Sequence, residues 1–312
     1  VTYKDFGMLR YLGKRSLHSL VSLVGLVVLV FFLARLTGDP TNLYLPIDAS
    51  PAEKANFAQV HGFNDPVLLQ FWHFVQGALR LDFGASLRYQ RPALGLVLEA
   101  FPTTLELAFF AMLIALVIAI VTGSLAAWRL NGFFDRIASI ISLISASIPN
   151  FWIAIVGVLV LAVNLRLIPT SGTGSVQQWI LPVAVLAIRP AGLIVQIVRG
   201  SMTSALSSAY VKTARAKGVS SQAIIFVHAL RNAMLPVITV AGDQATGMVN
   251  GAVIVETIFG FPGIGNLMLD AITNRDFAVV QAAVMVTAIA IFILNIVIDL
   301  CYAALDPRIR FT

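Results

Sequence analysis

The chain has 312 residues, of which 58% are hydrophobic and 12% charged, with a net charge of +6 and a mean hydropathy of +0.88. Soluble domains carry roughly a quarter charged residues, so this composition excludes an ordinary soluble fold and predicts a polytopic membrane protein. The single cysteine, Cys301, excludes an internal disulfide and a multi-cysteine metal site, and the basic balance is read as membrane topology, with no nucleic-acid role.

A bilayer core of about 30 Å takes roughly 20 apolar residues per helix. The first apolar run, 17–36, follows Lys4, Arg10, Lys14 and Arg15. It is too long for the apolar region of a signal peptide, and no small-residue cleavage site follows Arg35, so it is read as the first transmembrane helix. The segment 37–101 is the one sizeable stretch outside the spans. Pro40, Pro46, Pro51, Pro66 and Pro92 predict short helices and turns there, not an independent domain. Five more apolar runs, near 102–128, 137–163, 179–201, 233–258 and 278–303, complete about six spans, the fourth and fifth interrupted by Arg189 and Asp243. The expected fold class is all-α, with 102–303 as the transmembrane core.

Orientation follows from Lys and Arg in short loops and termini, which stay on the cytoplasmic side. Arg129 and Arg136, then Lys212, Arg215, Lys217 and Arg231, then Arg308 and Arg310 join the N-terminal cluster on one side; the opposite short loops offer only Arg166 and Arg275. Residues 1–16 and 304–312 are therefore expected to be cytoplasmic, with 37–101 on the opposite side of the membrane.

Between the fourth and fifth spans lies the basic loop 202–232. Tyr210 to Lys217 is Ala-rich and helix-forming, and Gly218 suits a left-handed helix end. The run Gln222 to Leu230 favours a second helix. Two short helices joined by a glycine bend make a projection rigid enough to transmit a push, whereas the simpler reading is a basic loop lying on anionic headgroups.

Ionisable groups at membrane depth normally face a bundle interior, a partner or a water-filled path. At about 100° per residue, Thr239, Asp243, Thr246, Asn250 and Thr257 share a narrow arc of the fifth span, and Arg189 shares a face of the fourth with Gln196. One reading places both stripes on a translocation path, with Arg189 attracting a substrate carboxylate; the other pairs Arg189 with Asp243 and simply locks two helices. Gly247 and Gly251 form a GxxxG pair that permits close helix approach. Glu256 precedes a Gly/Pro-rich turn containing Pro262 and Gly263. The chain has no P-loop and no HExxH or CxxC pattern, and its histidines, His18, His61, His73 and His228, are scattered. No catalytic, cofactor or metal residue is assigned. A stand-alone secondary transporter would rest on Asp243 alone, and a membrane enzyme lacks a visible nucleophile and base.

Blocks along the chain carry a family resemblance: Gly38-Asp39-Pro40, GFNDPVLLQFWHFVQGALRLDFGASL from Gly62, SIPNFW from Ser147, Ile168 to Gly172, HALRNAMLP from His228, VIVETIFGFPGIG from Val253 and DPRIRF from Asp306. The sequence resembles the B-type permease subunit of bacterial dipeptide, oligopeptide and nickel ABC importers. Counting from Gly218 sets the family's coupling-loop triplet on Lys212, Thr213 and Ala214 and its closing quartet on His228 to Arg231, with Ala214, Gly218 and Leu230 matching. The resemblance implies a type I importer fold in the bacterial inner membrane, a small periplasmic segment that helps dock a binding protein, and coupling to ATPases through Lys212, Thr213, Ala214, Arg215, Gly218, His228 and Leu230. It implies an outer gate at Glu256, Pro262 and Gly263. The implied partners are a C-type paralogous permease, two P-loop ATPase subunits holding ATP and Mg, a periplasmic binding protein and membrane lipid. The implied cargo is a di- or oligopeptide, or alternatively nickel chelate, glutathione or opine.

Overall fold

The computed structural model describes residues 21–22, 24–33, 36, 41–46 and 48–305. The basic N-terminal stretch, the Gly38-Asp39-Pro40 block and the tail with Arg308 and Arg310 lie outside the described residues. Among the described residues the fold is helical, with one isolated antiparallel bridge between Ala85 and Pro92.

Helix α1 (Val24–Leu33) is the longest described part of the first predicted span. Three short helices follow, α2 (Thr41–Tyr44), α3 (Pro51–Val60) and α4 (Val67–Leu79). The start of α3 is fixed locally. Ser50 Oγ accepts from the Glu53 N–H, the Glu53 carboxylate accepts from the Ser50 N–H at 2.7 Å, and Pro51 occupies the first turn, a reciprocal cap that satisfies two otherwise unpaired donors.

Helix α5 (Ala93–Trp128) begins well before the expected boundary at 102. The stretch ALGLVLEAF is rich in helix formers, and the helix continues through Pro102, so the hydropathy window marked only its apolar part. The third predicted span is not one helix. Helix α6 (Phe133–Ser147) and helix α7 (Asn150–Gly157), which continues as a π-wound turn over Val158–Asn164, meet at 99°. Ile148 is extended, φ −77° and ψ 131°, the conformation that the following Pro149 imposes on its neighbour.

Helix α8 (Val176–Leu206) is followed by α9 (Ala209–Ala216) and α10 (Ser221–Ala223). A π-wound turn, Ile224–Ala229, carries α10 into α11 (Leu230–Phe259), so Ser221–Phe259 forms one helical run of 39 residues. The second loop helix expected at Gln222 to Leu230 is therefore the beginning of the fifth span. Helices α12 (Ile264–Thr273) and α13 (Phe277–Leu305) complete the chain. By length and apolar composition α5, α8, Ser221–Phe259 and α13 each suffice to cross a membrane, and the bent pair makes up to a fifth crossing.

The described residues fall into two compact units. One takes the chain through Thr103 together with Pro262–Ile293. Its core packs Phe83, Leu96 and Val97 with Ile264, Val279 and Ala283. Polar fasteners surround it: Ser86 Oγ donates to Asp276 at 2.5 Å, Tyr89 Oη donates to Asp270 at 3.0 Å, Arg88 pairs with Asp270 at 3.2 Å, and Tyr44 Oη donates to the Asn274 carbonyl at 2.8 Å. Burial, reinforced by the negative Asp276, pushes the Tyr44 hydroxyl up to about 12, so it remains a donor at any physiological pH.

The other unit takes Thr104–Phe261 and the end of α13 from Leu294. Here α8 is the central element, burying Leu181, Val185, Leu186, Ile194, Val198 and Met202. Close backbone approach occurs at Gly123 and Gly192, and the Ile298 side chain packs tightly on Gly242; the GxxxG pair shows neither. A Cβ on Gly192 would lie 2.5 Å from the Ser142 carbonyl oxygen on α6, whereas one on Gly247 would meet nothing within 4 Å and one on Gly251 would make an ordinary 3.5 Å contact with Leu186.

Candidate functional site

The basic region after α8 is built around a few apolar anchors. Val211 on α9 is fully buried, and Ile224, Ile225 and Ala229 are buried on the π-wound turn. Between them the chain reverses at Gly218, whose φ of +75° is accessible to glycine without Cβ strain. The Gly218 N–H donates to the Arg215 carbonyl at 3.0 Å and the Val219 N–H to the Ala214 carbonyl at 3.2 Å, closing α9 in the expected left-handed manner. Lys212, Thr213, Gly218 and His228 are exposed, while Ala214 and Leu230 are half-buried. Arg215 is exposed as a whole, and its guanidinium lies 5.2 Å over the Trp128 ring at the end of α5, a cation–π contact. Sequence reasoning placed Arg215 with the coupling residues and gave Trp128 no role.

The polar stripe of α11 faces away from its own unit. Thr239, Asp243, Asn250 and Thr257 are exposed and Thr246 is half-buried, while Val237, Gly242, Val249, Ala252 and Val255 face inward. The threonine hydroxyls donate to their own helix: Thr239 to the Leu235 carbonyl, Thr246 to Gly242 and Thr257 to Val253, at 3.1, 3.2 and 2.8 Å. Arg189 is exposed on an otherwise largely buried helix, with Gln196 half-buried two turns along. Among the described residues no ion pair joins Arg189 to Asp243; the Asp243 carboxylate accepts from Gln244 at 3.2 Å. The interhelical lock is thus not formed, and two opposite charges at membrane depth are left on outward faces, positions that require a partner or a wet path.

Glu256 behaves differently from that stripe. It is fully buried and accepts from Thr104 Oγ1 at 2.6 Å. Its backbone carbonyl receives the N–H groups of Gly260, left-handed at φ +66°, and Phe261, the latter at 2.9 Å. Phe261 packs edge-on against Trp179 with ring centroids 4.9 Å apart. Glu256 therefore fastens the end of α11. In the other unit Pro262 is exposed and Gly263 is buried as the N-cap of α12.

An ion pair with a buried carboxylate went unseen in the sequence: Arg199 on α8 grips Asp135 in the first turn of α6, with one of the two contacts at 2.8 Å, and the Asn131 N–H donates to the same carboxylate at 2.8 Å. Asp135 stood in the basic loop beside Arg136, and Arg199 near the end of the fourth apolar run, and a separation of 64 residues leaves no local pattern to read.

The family model for the inner membrane component of binding-protein-dependent transport systems matches residues 119–311, and the model for the N-terminal part of such components matches 8–108. The chain belongs to this family. It is a permease subunit of an ABC importer, a multi-pass inner membrane protein. Relatives include a probable peptide ABC transporter permease of Sinorhizobium fredii, 36% identical over 96% of this chain and 99% of its own length. The glutathione transport system permease protein GsiC of Escherichia coli (strain K12) is 36% identical over 97% of this chain and all of its own length. Among solved structures, the fold resembles the MetNI methionine ABC transporter in its inward-facing form, with a TM-score of 0.57 and 16% identity over 68% of this chain and 96% of that one. An amino acid ABC transporter gives 0.54 and 17% over 67% and 94%. At these identities the structural likeness concerns the fold alone.

Proposed function

We propose that this permease imports short peptides, forming half of a translocation path with a C-type paralogue. Two P-loop ATPase subunits, carrying ATP and Mg, act on its 202–232 region, and a periplasmic binding protein delivers the cargo. Both termini lie in the cytoplasm on this reading, and the chain itself is non-catalytic. The observation that carries the cargo class is the unpaired exposure of Arg189 and Asp243 on neighbouring helices. A peptide with free termini offers a carboxylate to the first and an ammonium to the second. A substrate of one sign would be served by one of them and opposed by the other.

The relative named for glutathione transport favours a second cargo, since glutathione is itself a short peptide with one ammonium and two carboxylates. Mechanistically, ATP-driven closure pushes the 202–232 region, and the push passes into α8 and α11, which carry the polar stripes. Binding-protein docking biases the same two-state element from the other side. The test is mild-detergent purification from the native membrane with mass spectrometry of the co-purifying chains, followed by ATP-dependent uptake of a labelled dipeptide and of glutathione in proteoliposomes. Recovery of a paralogous permease, P-loop ATPases and a binding protein, with saturable uptake of either peptide, is the expected result. Stable recovery of the chain alone would overturn it.

A further inference from the structure

Helix α4 presents three arcs. At about 100° per residue, Phe71, Phe74 and Ala78 share the one that faces the protein. Phe71 and Phe74 meet the Phe31 ring of α1 with centroids 5.2 and 5.6 Å apart, and Phe74 and Ala78 pack on the core of the first unit. A second arc carries His73, Gln76 and, at the cap, Arg80, all exposed, with Leu69 among them. The third holds Leu68, Trp72 and Leu79, which are 75, 57 and 82% exposed. The start of the helix is held by Gln70, whose amide donates to the Phe63 and Asp65 carbonyls at 3.3 and 2.9 Å.

The depth of α4 decides what covers the third arc. Phe74 lines a small cavity with Val30 of α1 and with Gln281, Val284 and Met285 of α13. Val30 stands six residues before Leu36, where the first apolar run ends, and the three α13 residues stand four to eight residues after Phe277, where that span begins. At 1.5 Å of rise per residue, these counts put Phe74 about 9 Å inside one span and about 6–12 Å inside the other. The apolar face of an interfacial helix rests about 5–10 Å into the headgroup–acyl boundary. Phe32, exposed on α1, stacks on Phe71 at 5.7 Å and carries the apolar surface of α1 onto α4. Trp72 and Arg80 are residue types that settle at headgroup level, an apolar body below and a polar tip above.

We propose that α4 is an interfacial membrane helix. Its Leu68–Trp72–Leu79 stripe seats among the acyl chains of the leaflet at which α1 ends, with His73, Gln76 and Arg80 at the headgroups. The segment between the first and second spans is thereby tied to the lipid surface as well as to α1. This rests on the membrane location of the chain and on neither its cargo nor its ATPases.

The test uses the full chain in phosphatidylcholine nanodiscs, with a nitroxide on L68C, W72C or L79C and, for comparison, on H73C or Q76C, each in a C301S background. Oxygen partitions into acyl chains, whereas a nickel chelate stays in water. Labels on L68C, W72C and L79C are expected to collide with oxygen several-fold more than with the chelate, and those on H73C and Q76C to show the reverse. Collisions dominated by the chelate at the three stripe positions would overturn the proposal. Low access to both reagents there would assign the stripe to a second protein surface and overturn it too. A second readout leaves Cys301 in place. In nanodiscs of 6,7-dibromo phosphatidylcholine the tryptophan emission of the wild-type chain is expected to be quenched more than that of W72F, and the difference to shrink with 11,12-dibromo lipid. No difference, or a larger one with the deeper bromines, would overturn the interfacial placement. Neither readout involves a partner chain, so either can fail while the transport reading stands.

Discussion

Asp135 and Arg199 join α6 to α8 by a two-pronged ion pair in which the carboxylate is 2% exposed and the guanidinium 31%. Removing one partner of a buried pair strands the other, at about 3–5 kcal/mol when fully buried. The exposure of Arg199 reduces that here. D135N is expected to lower the Tm of the detergent-solubilised protein clearly, and the double variant D135N/R199Q to recover part of the loss. Thermal unfolding of the three forms checks this; equal Tm values would show that the pair contributes nothing.

Gly192 and Gly200 lie on the same helix and are expected to respond oppositely to alanine. At Gly192 the new methyl meets α6 backbone at 2.5 and 2.9 Å, so G192A is expected to cost about 1–3 kcal/mol through overpacking. At Gly200 a Cβ meets nothing within 4 Å, and G200A is expected to be neutral or to gain up to about 1 kcal/mol from helix propensity. Comparing the two melting curves decides the point.

Gly218 closes α9 at φ +75°, and proline, fixed near −65°, cannot occupy that conformation. G218P is expected to leave membrane insertion intact and ATP hydrolysis measurable while uptake per ATP falls at least about tenfold, a loss near 1.4 kcal/mol of coupling. Uptake coupled as in the wild type would refute transmission through this bend.

Arg189→Gln and Asp243→Asn separate path from packing. Because neither residue pairs with the other, each variant is expected to assemble normally and to raise the KM for a dipeptide several-fold; R189Q acts on peptides with a free C-terminal carboxylate and D243N on those with a free amino terminus. Assembly yield and competition by end-blocked peptides are the readouts. Loss of assembly in both would remove these residues from the path.

Glu53 gives a pH prediction outside the membrane. The Ser50 backbone N–H, and then its hydroxyl, hold the Glu53 carboxyl below its ordinary 4.5. A depressed carboxylate contributes stability that is fully present above the unfolded value and is lost as pH falls through the folded one. The amides of α3 are therefore expected to exchange faster, after correction for intrinsic rates, once the pH drops below 4.5, and E53Q to abolish that pH dependence. Hydrogen exchange measured on either side of that pH tests it.

The spans were legible because a bilayer demands long apolar runs, and such runs occur in few other settings. Their ends were not, because helices continue beyond the hydrocarbon wherever caps and propensity permit: Ser175 with Gln178 starts α8, and Ser220 starts the run that becomes α11. The break at Pro149 left hydropathy unchanged and was signalled only by the proline itself. The stripe on α11 followed from helical periodicity, and its outward direction agrees with it. What sequence order cannot reveal is which distant residues meet. Of the two readings left open for Arg189 and Asp243, the ion pair is not formed among the described residues, while Asp135–Arg199, Thr104–Glu256 and Arg215–Trp128 depend wholly on tertiary packing.

The two attachments between α6 and α8 share one register. Asp135 meets Arg199, and Ser142 lies against Gly192, seven residues apart on each antiparallel helix, or about 10 Å of rise. Two pins that far apart leave no swivel. Helix α6 and the middle of α8 must travel as one strut, so whatever rotation an importer cycle demands of the α6–α7 pair falls on the three-residue corner at Ile148, Pro149 and Asn150.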